Sequence, residues 1–330
     1  MRTRIAINGM GRIGRLLFRR LLHDTDLEIV AVNDLMDGAN CAYLLRHDSI
    51  YGNSPVPVTI DGGTLRAGDA SIPYLQEPDP AKLPWKTLGV DLVLECTGRF
   101  TTRAKAGQHL AAGAARVLLS TTGPADVPLL IYGHNHSALQ ATDTLLSPGG
   151  CMTNCATNLI ALMEGLGIES VQVHMVHSYT SRQELVDGPN ADFRRGRAAA
   201  ESIIPVPIDL DTALARLFPH LQGHIASVST RVPVANGALG DFTFLMKNEV
   251  TAAAVNAHLR AAAGGTHRGI VGYTEEPLVS LDTKGDPHSA LVDGTLTSVA
   301  GRLVKLFAFF DNEYGYTSRV IDWMRYWRSL

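Results

Sequence analysis

A chain of 330 residues exceeds the usual size of one domain, so two domains are expected. Hydrophobic residues at 45% supply real cores, and charged residues at 18% exclude a disordered chain. A formal net charge of -3 gives no reason to expect nucleic acid or an acidic membrane surface as a partner.

No apolar run approaches the ~20 residues that span a bilayer. Gly9, Gly11 and Gly14 interrupt the stretch that a signal peptide would need. Four cysteines (Cys41, Cys96, Cys151, Cys155) are too few and too scattered for a disulfide framework. The expectation is a soluble, cytoplasmic protein with no membrane partner.

In chain order, Arg4 to Asn8 reads as a short buried strand and Gly9 to Gly14 as a turn. Arg12 to His23 then has helical spacing, with Ile13, Leu16, Leu17, Leu21 and Leu22 on one side. A second strand, Leu27 to Val32, ends at Asn33-Asp34. Strand-like runs follow at Leu92 to Leu94 and Val117 to Leu119, with an alanine-rich helical stretch, Ala104 to Ala112, between them. Alternating strands and helices argue for a parallel sheet covered on both faces.

The texture changes after about residue 150. Cys151 to Leu166 reads as a helix, followed by alternating runs at Val171 to Val176, Ala226 to Val232, Asp241 to Phe244 and Leu303 to Phe310. These suggest an antiparallel sheet in an α+β domain. Arg182 to Asp211 has little periodicity, three prolines and an arginine cluster, which marks a functional loop. Ser318 to Leu330 is helical, with Val320, Ile321, Met324 and Trp327 on one face.

Gly9-Met10-Gly11-Arg12-Ile13-Gly14 fits G-x-G-x-x-G, with a strand before it and a helix after it. Gly9 permits the tight turn, Gly11 lets the backbone approach a pyrophosphate, and Gly14 allows close helix–strand packing. The helix N-terminus offers bare N–H groups to phosphates. Asp34, twenty residues after Gly14, can accept from both ribose hydroxyls and repel a 2'-phosphate. The pattern points to NAD rather than NADP on a Rossmann-type, doubly wound α/β domain. The expected division is an NAD-binding domain over 1–150, to which the helix 313–330 returns, and a catalytic domain over 151–312 with a mainly antiparallel sheet.

Ser147-Pro148-Gly149-Gly150-Cys151 leads from a glycine-rich turn into a helix. A thiol at a helix N-terminus has a lowered pKa, and thiolate is the nucleophile. Two other readings stand beside catalysis. Cys151 and Cys155 as metal ligands lack a second Cys or His pair, so no metal is expected. Both as inert buried thiols remains open on the local pattern. A base must accompany a reactive thiol. His177 ends a strand-like run before the polar Ser178-Tyr179-Thr180, which makes it one candidate among twelve histidines; His174 reads as structural.

The chain resembles the glyceraldehyde-3-phosphate dehydrogenase family, which includes erythrose-4-phosphate dehydrogenases. The matching segments are INGMGRIGR from Ile7, ECTGRFT from Glu95, CMTNC from Cys151, VHSYT from Val176 and RRGRAAAESIIP from Arg194. RVPVAN from Arg231, GIVGYTEEPLVSLD from Gly269, DPHSALVDG from Asp286 and DNEYGY from Asp311 complete the series. The resemblance implies that Cys151 is the nucleophile and His177 its base. It implies that Arg12, Ile13, Asp34 and Thr97 line the NAD site and that Asn312 holds the nicotinamide carboxamide. Thr180 and Arg231 would grip the phosphate of a small phosphorylated aldehyde, although an ordinary ion pair is the plain reading of Arg231. Arg194, Arg195 and Arg197 fall in what resembles the family's intersubunit loop, and the family is usually a homotetramer.

The chain departs from the family around the attacking inorganic phosphate. Where phosphorylating members have a pattern like S-N-A-S-C-T-T-N, the hydroxyl neighbours of Cys151 are replaced by Gly150 and Met152. A T-T-T-G-A segment is also missing, and Asp209 adds a carboxylate there. Each lost hydrogen bond to an ion is worth roughly 1.5–3 kcal/mol. Two losses would weaken phosphate binding by something like a hundredfold, which raises a hydrolytic, erythrose-4-phosphate dehydrogenase-like alternative. Arg182 stands where the family often has an acid and could recruit an anionic group. A reading of another class, a catalytically silent NAD-binding regulator, stays open on the altered loops.

Overall fold

Ile5, Ala6 and Ile7 are wholly buried, and the run that carries them forms β1 (Thr3–Asn8), an inner strand of an eight-stranded sheet. The computed structural model describes residues 2–330, and chain contacts divide it into two units. The first runs up to Leu130 and adds Ser137–Gly149 and Val320–Leu330.

In this unit β1 is followed by α1 (Arg12–Leu21), β2 (Leu27–Asn33) and α2 (Gly38–Arg46). Then come β3 (Val58–Asp61), β4 (Thr64–Ala67), β5 (Ala70–Leu75), β6 (Leu92–Glu95), α3 (Arg103–Ala111), β7 (Arg116–Leu119) and β8 (Leu145–Leu146). The sheet order is β3-β4-β5-β2-β1-β6-β7-β8. Its pairs from β5 through β8 are parallel, and the β3–β4 and β4–β5 pairs are antiparallel. The inner strands are continuous apolar runs because both faces are covered, as a parallel sheet requires. Val93, Val117, Leu119, Ala106 and Trp85 make the core on one side. The antiparallel extension β3–β5 has no counterpart in the sequence reading; its strands are short, and only five of their fourteen residues are buried.

The second unit takes Ile131–His136 and Gly150–Arg319. It holds α4 (Cys151–Glu164), β9 (Ile168–Ser178), β10 (Ile204–Val206), α5 (Leu210–Leu217), β11 (Ile225–Val232), β12 (Ala238–Met246) and α6 (Ala252–Gly264). β13 (Val271–Thr274), β14 (Ala290–Asp293), β15 (Ser298–Ala300) and β16 (Leu303–Phe310) follow, then α7 (Tyr314–Ser329). The second sheet runs β10-β11-β9-β12-β16-β14-β13, with β15 on β16. It is mainly antiparallel, as expected, except that β9 pairs parallel with β11 and β13 with β14. In β12 every second residue is buried, the period-2 pattern of a sheet with one packed face. Phe242, Phe244 and Met246 on that face meet Ala156, Leu159 and Met163 of α4 in one core.

The contacts place two stretches differently from the division at 150/151 read from the sequence. Ile131–His136 groups with the second unit, and α7 is shared, with Val320 onward in the first. There Arg325 donates to Asp24 at 2.8 Å and Arg328 pairs with Asp26 at 2.7 Å. Among the described residues, no helix is long and apolar enough to cross a membrane.

Candidate active site

In the first unit the C-terminal ends of β1, β2 and β6 frame a cavity of about 280 Å³, lined in part by Gly9, Gly11, Asp34, Thr97, Arg99 and Phe100. Gly9 has φ +100°, where L side chains are strained, and a Cβ on it would lie 2.7 Å from the Thr97 nitrogen. A Cβ on Gly14 would fall 1.9 Å from the Gly9 carbonyl oxygen, so helix and loop touch backbone to backbone. Gly11, by contrast, has nothing within 4 Å of such a Cβ. It is the N-cap of α1, so open space stands over bare helix N–H groups, which suits a pyrophosphate.

Asp34 is tied into this loop: one carboxylate oxygen accepts from the Met10 amide at 2.5 Å and the other from the Met36 amide at 2.8 Å. Arg12 turns to Asp48, its guanidinium 2.6 Å from the carboxylate. Ile13 is half-buried. Of the expected nucleotide residues here, Gly9, Gly11, Asp34 and Thr97 line the cavity, while Arg12, Ile13 and Gly14 do not.

Beneath Thr97 lies a buried network that sequence reading missed. Glu95, 2% exposed, takes Asn8 Nδ2 at 2.5 Å and His109 Nε2 at 3.0 Å on one oxygen. Its other oxygen accepts from the Thr97 amide at 2.8 Å and from the Thr97 hydroxyl. Trp85 Nε1 donates to His109 Nδ1 at 3.0 Å, so the His109 proton sits on Nε2 and points at Glu95. Asn33 donates to Asn8 at 2.7 Å and joins β2 to the same network. The one available signal was a carboxylate closing the apolar run Leu92–Leu94.

In the second unit Cys151 is the first residue of α4, with Gly150 as an N-cap that supplies no side-chain cap. Its Sγ lies 3.6 Å from Nε2 of His177, which is buried near the end of β9. Register explains the company His177 keeps, since Arg231 of β11 and Ala238 of β12 pair with it on either side. His177 Nδ1 lies 2.7 Å from the Ser178 carbonyl oxygen and 2.6 Å from Arg231 Nη1, which is itself 3.2 Å from the same oxygen. Nδ1 thus faces an acceptor, the Ser178 carbonyl, and a donor, Arg231, and the tautomer that serves the thiol carries its proton on Nδ1. The carbonyl then accepts from both neighbours, and Nε2 presents a lone pair to the thiol.

Burial, not the helix terminus, dominates the thiol. It pushes Cys151 up to about 11, against the charge of Arg231 and the amides of Met152 and Cys151. This corrects the expectation of a lowered pKa: the half-buried sulfur loses more hydration than the helix end returns. Burial, followed by Arg231, holds His177 down at about 3. Burial thus disfavours the charge on each group taken singly, while at 3.6 Å the two titrate as a pair. Cys155, one turn on, is wholly buried in the core, and its thiol is pushed up further by burial. His174 donates to or accepts from Thr230 at 2.8 Å, away from the thiol pair. No cluster among the described residues could hold a metal ion.

Arg231 is 7% exposed and Gln183 6%. Arg231 Nε, Gln183 Nε2 and Arg195 Nη1 are buried N–H groups without an acceptor among the described residues. Thr180 sits in the turn that carries Gln183, its amide and hydroxyl both directed to Gln183 Oε1 at 2.9 and 3.0 Å. Bare buried donors cost about 1–3 kcal/mol each, a cost that an incoming anion would remove. Asn312 uses its oxygen, accepting from the Gly237 amide at 2.8 Å and from Ser178 Oγ at 3.3 Å. Its amide nitrogen makes no hydrogen bond among the described residues and is left as a donor.

Two family models match the chain. Residues 3–103 match the NAD-binding domain of glyceraldehyde 3-phosphate dehydrogenase, and residues 150–312 match its C-terminal domain. A plasmid-encoded glyceraldehyde-3-phosphate dehydrogenase of Cupriavidus necator is 42% identical over 327 residues, covering 98% of this chain and 97% of that one. The enzyme of that name from Zymomonas mobilis is 43% identical over 328 residues, with the same coverage of each chain. The one from Pseudomonas aeruginosa is 41% identical over 326 residues, again with 98% and 97% covered.

Proposed function

The chain belongs to the glyceraldehyde-3-phosphate dehydrogenase family, and from that premise we propose that it oxidises a small phosphorylated aldehyde through a thioester on Cys151. It is an NAD-dependent oxidoreductase acting on an aldehyde. The substrate we propose first is glyceraldehyde 3-phosphate. The observation that carries the reading is the 3.6 Å approach of His177 Nε2 to Cys151 Sγ at the start of α4.

The reaction follows from these groups. Cys151 Sγ adds to the aldehyde carbon while its proton passes to Nε2 of His177, and the resulting oxyanion takes that proton from Nε2 to give a hemithioacetal. Nδ1–H, held by the Ser178 carbonyl, stabilises the imidazolium that forms meanwhile. When the hemithioacetal hydroxyl gives its proton back to Nε2, the carbon–hydrogen bond breaks and a thioester remains. NAD, when bound, accepts that hydride. Gly9, Gly11, Asp34 and Thr97 would hold the dinucleotide, and the amide nitrogen of Asn312 its carboxamide. Arg231 and the Thr180–Gln183 turn would hold the substrate phosphate. The same reading makes the protein a cytoplasmic homotetramer, with Leu185, Val186, Phe193 and Ile203 as exposed apolar residues suited to an intersubunit loop.

A second reading concerns the last step. Gly150 supplies no side chain at the α4 terminus, Met152 packs against the core, and Asp209 is exposed at the start of α5. No hydroxyl stands at these three places to bind inorganic phosphate, and a carboxylate would repel it. This favours water over phosphate as the group that opens the thioester. The test is NADH formation from glyceraldehyde 3-phosphate and from erythrose 4-phosphate, each with and without inorganic phosphate. Strong phosphate dependence would remove the second reading; no NADH from either aldehyde would remove the first.

A further inference from the structure

The turn that follows β9 carries Arg182 and lies against the Arg195 segment, while Arg231 of β11 touches His177 itself. Among the described residues Arg231, buried, has no carboxylate partner, and Arg195 has Asp192 alone, at 3.3 Å. Arg182 is exposed, and its guanidinium has no ion-pair or hydrogen-bond partner among the described residues. Backbone bonds tie the Arg182 and Arg195 segments to the turn after Ser178, whose carbonyl accepts from Arg231 at 3.2 Å. The Arg182 amide donates to Thr180 Oγ1 at 3.3 Å, and the Gln183 amide to the Thr180 carbonyl at 3.0 Å. The Glu184 amide donates to the Arg195 carbonyl at 3.0 Å. The nearby acid Asp187 is taken by Arg197, at 3.1 Å. Burial first, then the charges of Arg195 and Arg182, brings the Arg231 guanidinium down to about 10, against the pull of Cys151.

Arg182 and Arg231 carry charge with no carboxylate partner among the described residues, and the bare buried donors Arg231 Nε and Gln183 Nε2 point to an absent anion. We propose that Arg182 is a specificity-determining residue, whose guanidinium closes over the substrate's phosphate from the solvent side and selects the dianionic ester over an uncharged aldehyde. This rests on the phosphorylated-aldehyde reading and extends it to a residue outside the Thr180 and Arg231 pair. Arginine suits the role because its planar fork makes two parallel bonds to phosphate oxygens. An exposed position leaves the side chain free to close after the phosphate has entered.

The test compares kcat/KM for glyceraldehyde 3-phosphate with kcat/KM for unphosphorylated glyceraldehyde, in the wild type and in Arg182→Ala, Arg182→Lys and Arg182→Asp. The selectivity ratio is expected to fall about 10- to 100-fold in Arg182→Ala, mainly through KM of the phosphorylated substrate. It should fall further in Arg182→Asp and be partly restored in Arg182→Lys. An unchanged ratio in Arg182→Ala, or equal losses on both aldehydes, would overturn the assignment while leaving the substrate reading intact. A wild type without preference for the phosphorylated aldehyde would overturn both.

Discussion

Nε2 of His177 stands 3.6 Å from Sγ of Cys151, and burial presses both groups toward their neutral forms. Proton transfer between them leaves thiolate and imidazolium side by side, each stabilising the other, so the imidazole gives the thiol a route to ionisation that solvent does not. In His177→Asn that route is gone. The thiol, raised to about 11 by burial, is protonated below that value and gains thiolate only as pH rises toward it. Iodoacetamide labelling of Cys151 in His177→Asn should therefore climb about tenfold per pH unit from 7 to 9. The wild type should be faster at pH 7 and less dependent on pH, and kcat/KM should drop about 10²- to 10⁴-fold in the variant. Equal labelling of the two proteins at pH 7 would show that His177 does not serve the thiol.

Asp34 does two things at once. It holds the Met10 amide at 2.5 Å in the glycine turn and lines the nucleotide cavity. Asp34→Ala should raise KM for NAD and, by removing the carboxylate, narrow the preference for NAD over NADP by about tenfold or more. Steady-state kinetics with both dinucleotides decide it. An unchanged preference would place the discrimination elsewhere.

Glu95 accepts four donors in a place closed to water. Glu95→Gln turns one of its oxygens into an NH2 group facing either Asn8 and His109 or the two Thr97 donors. The expected loss is about 2–4 kcal/mol of stability, since each mismatched buried donor costs about 1–3 kcal/mol. Urea unfolding measures it. The Thr97 backbone should also loosen, so NAD affinity should fall at temperatures where the variant is still folded.

Much of this was legible in the sequence, and the rest was hidden for physical reasons. Gly9 and Gly14 announce a backbone contact between loop and helix, because a Cβ on either would collide, and β1, α1 and β2 follow from their apolar periods. The pairing of Arg231 with His177 depends on the register of β9 against β11, strands far apart in the chain, and no local pattern encodes it. The direction of the Cys151 shift depends on how much of the chain closes over the sulfur, which a helix-terminus argument omits. β9 runs to eleven residues where the apolar alternation suggested Val171 to Val176, because its flanking residues still find ladder partners in β12. α7 begins at Tyr314, next to the start at 313 expected for the returning helix and six residues before Val320 opens its apolar face, since its first turn is capped through Asp311.

The most direct test of the account is the mass of the Cys151 peptide after one turnover. Enzyme, NAD and glyceraldehyde 3-phosphate, mixed without inorganic phosphate and quenched in acid during the first turnover, should yield that peptide carrying a phosphoglyceryl group. Cys151→Ser should yield none and form no NADH. NADH formation by the Cys151→Ser variant at a rate near that of the wild type, or an acyl group found on another cysteine, would contradict the thioester at Cys151.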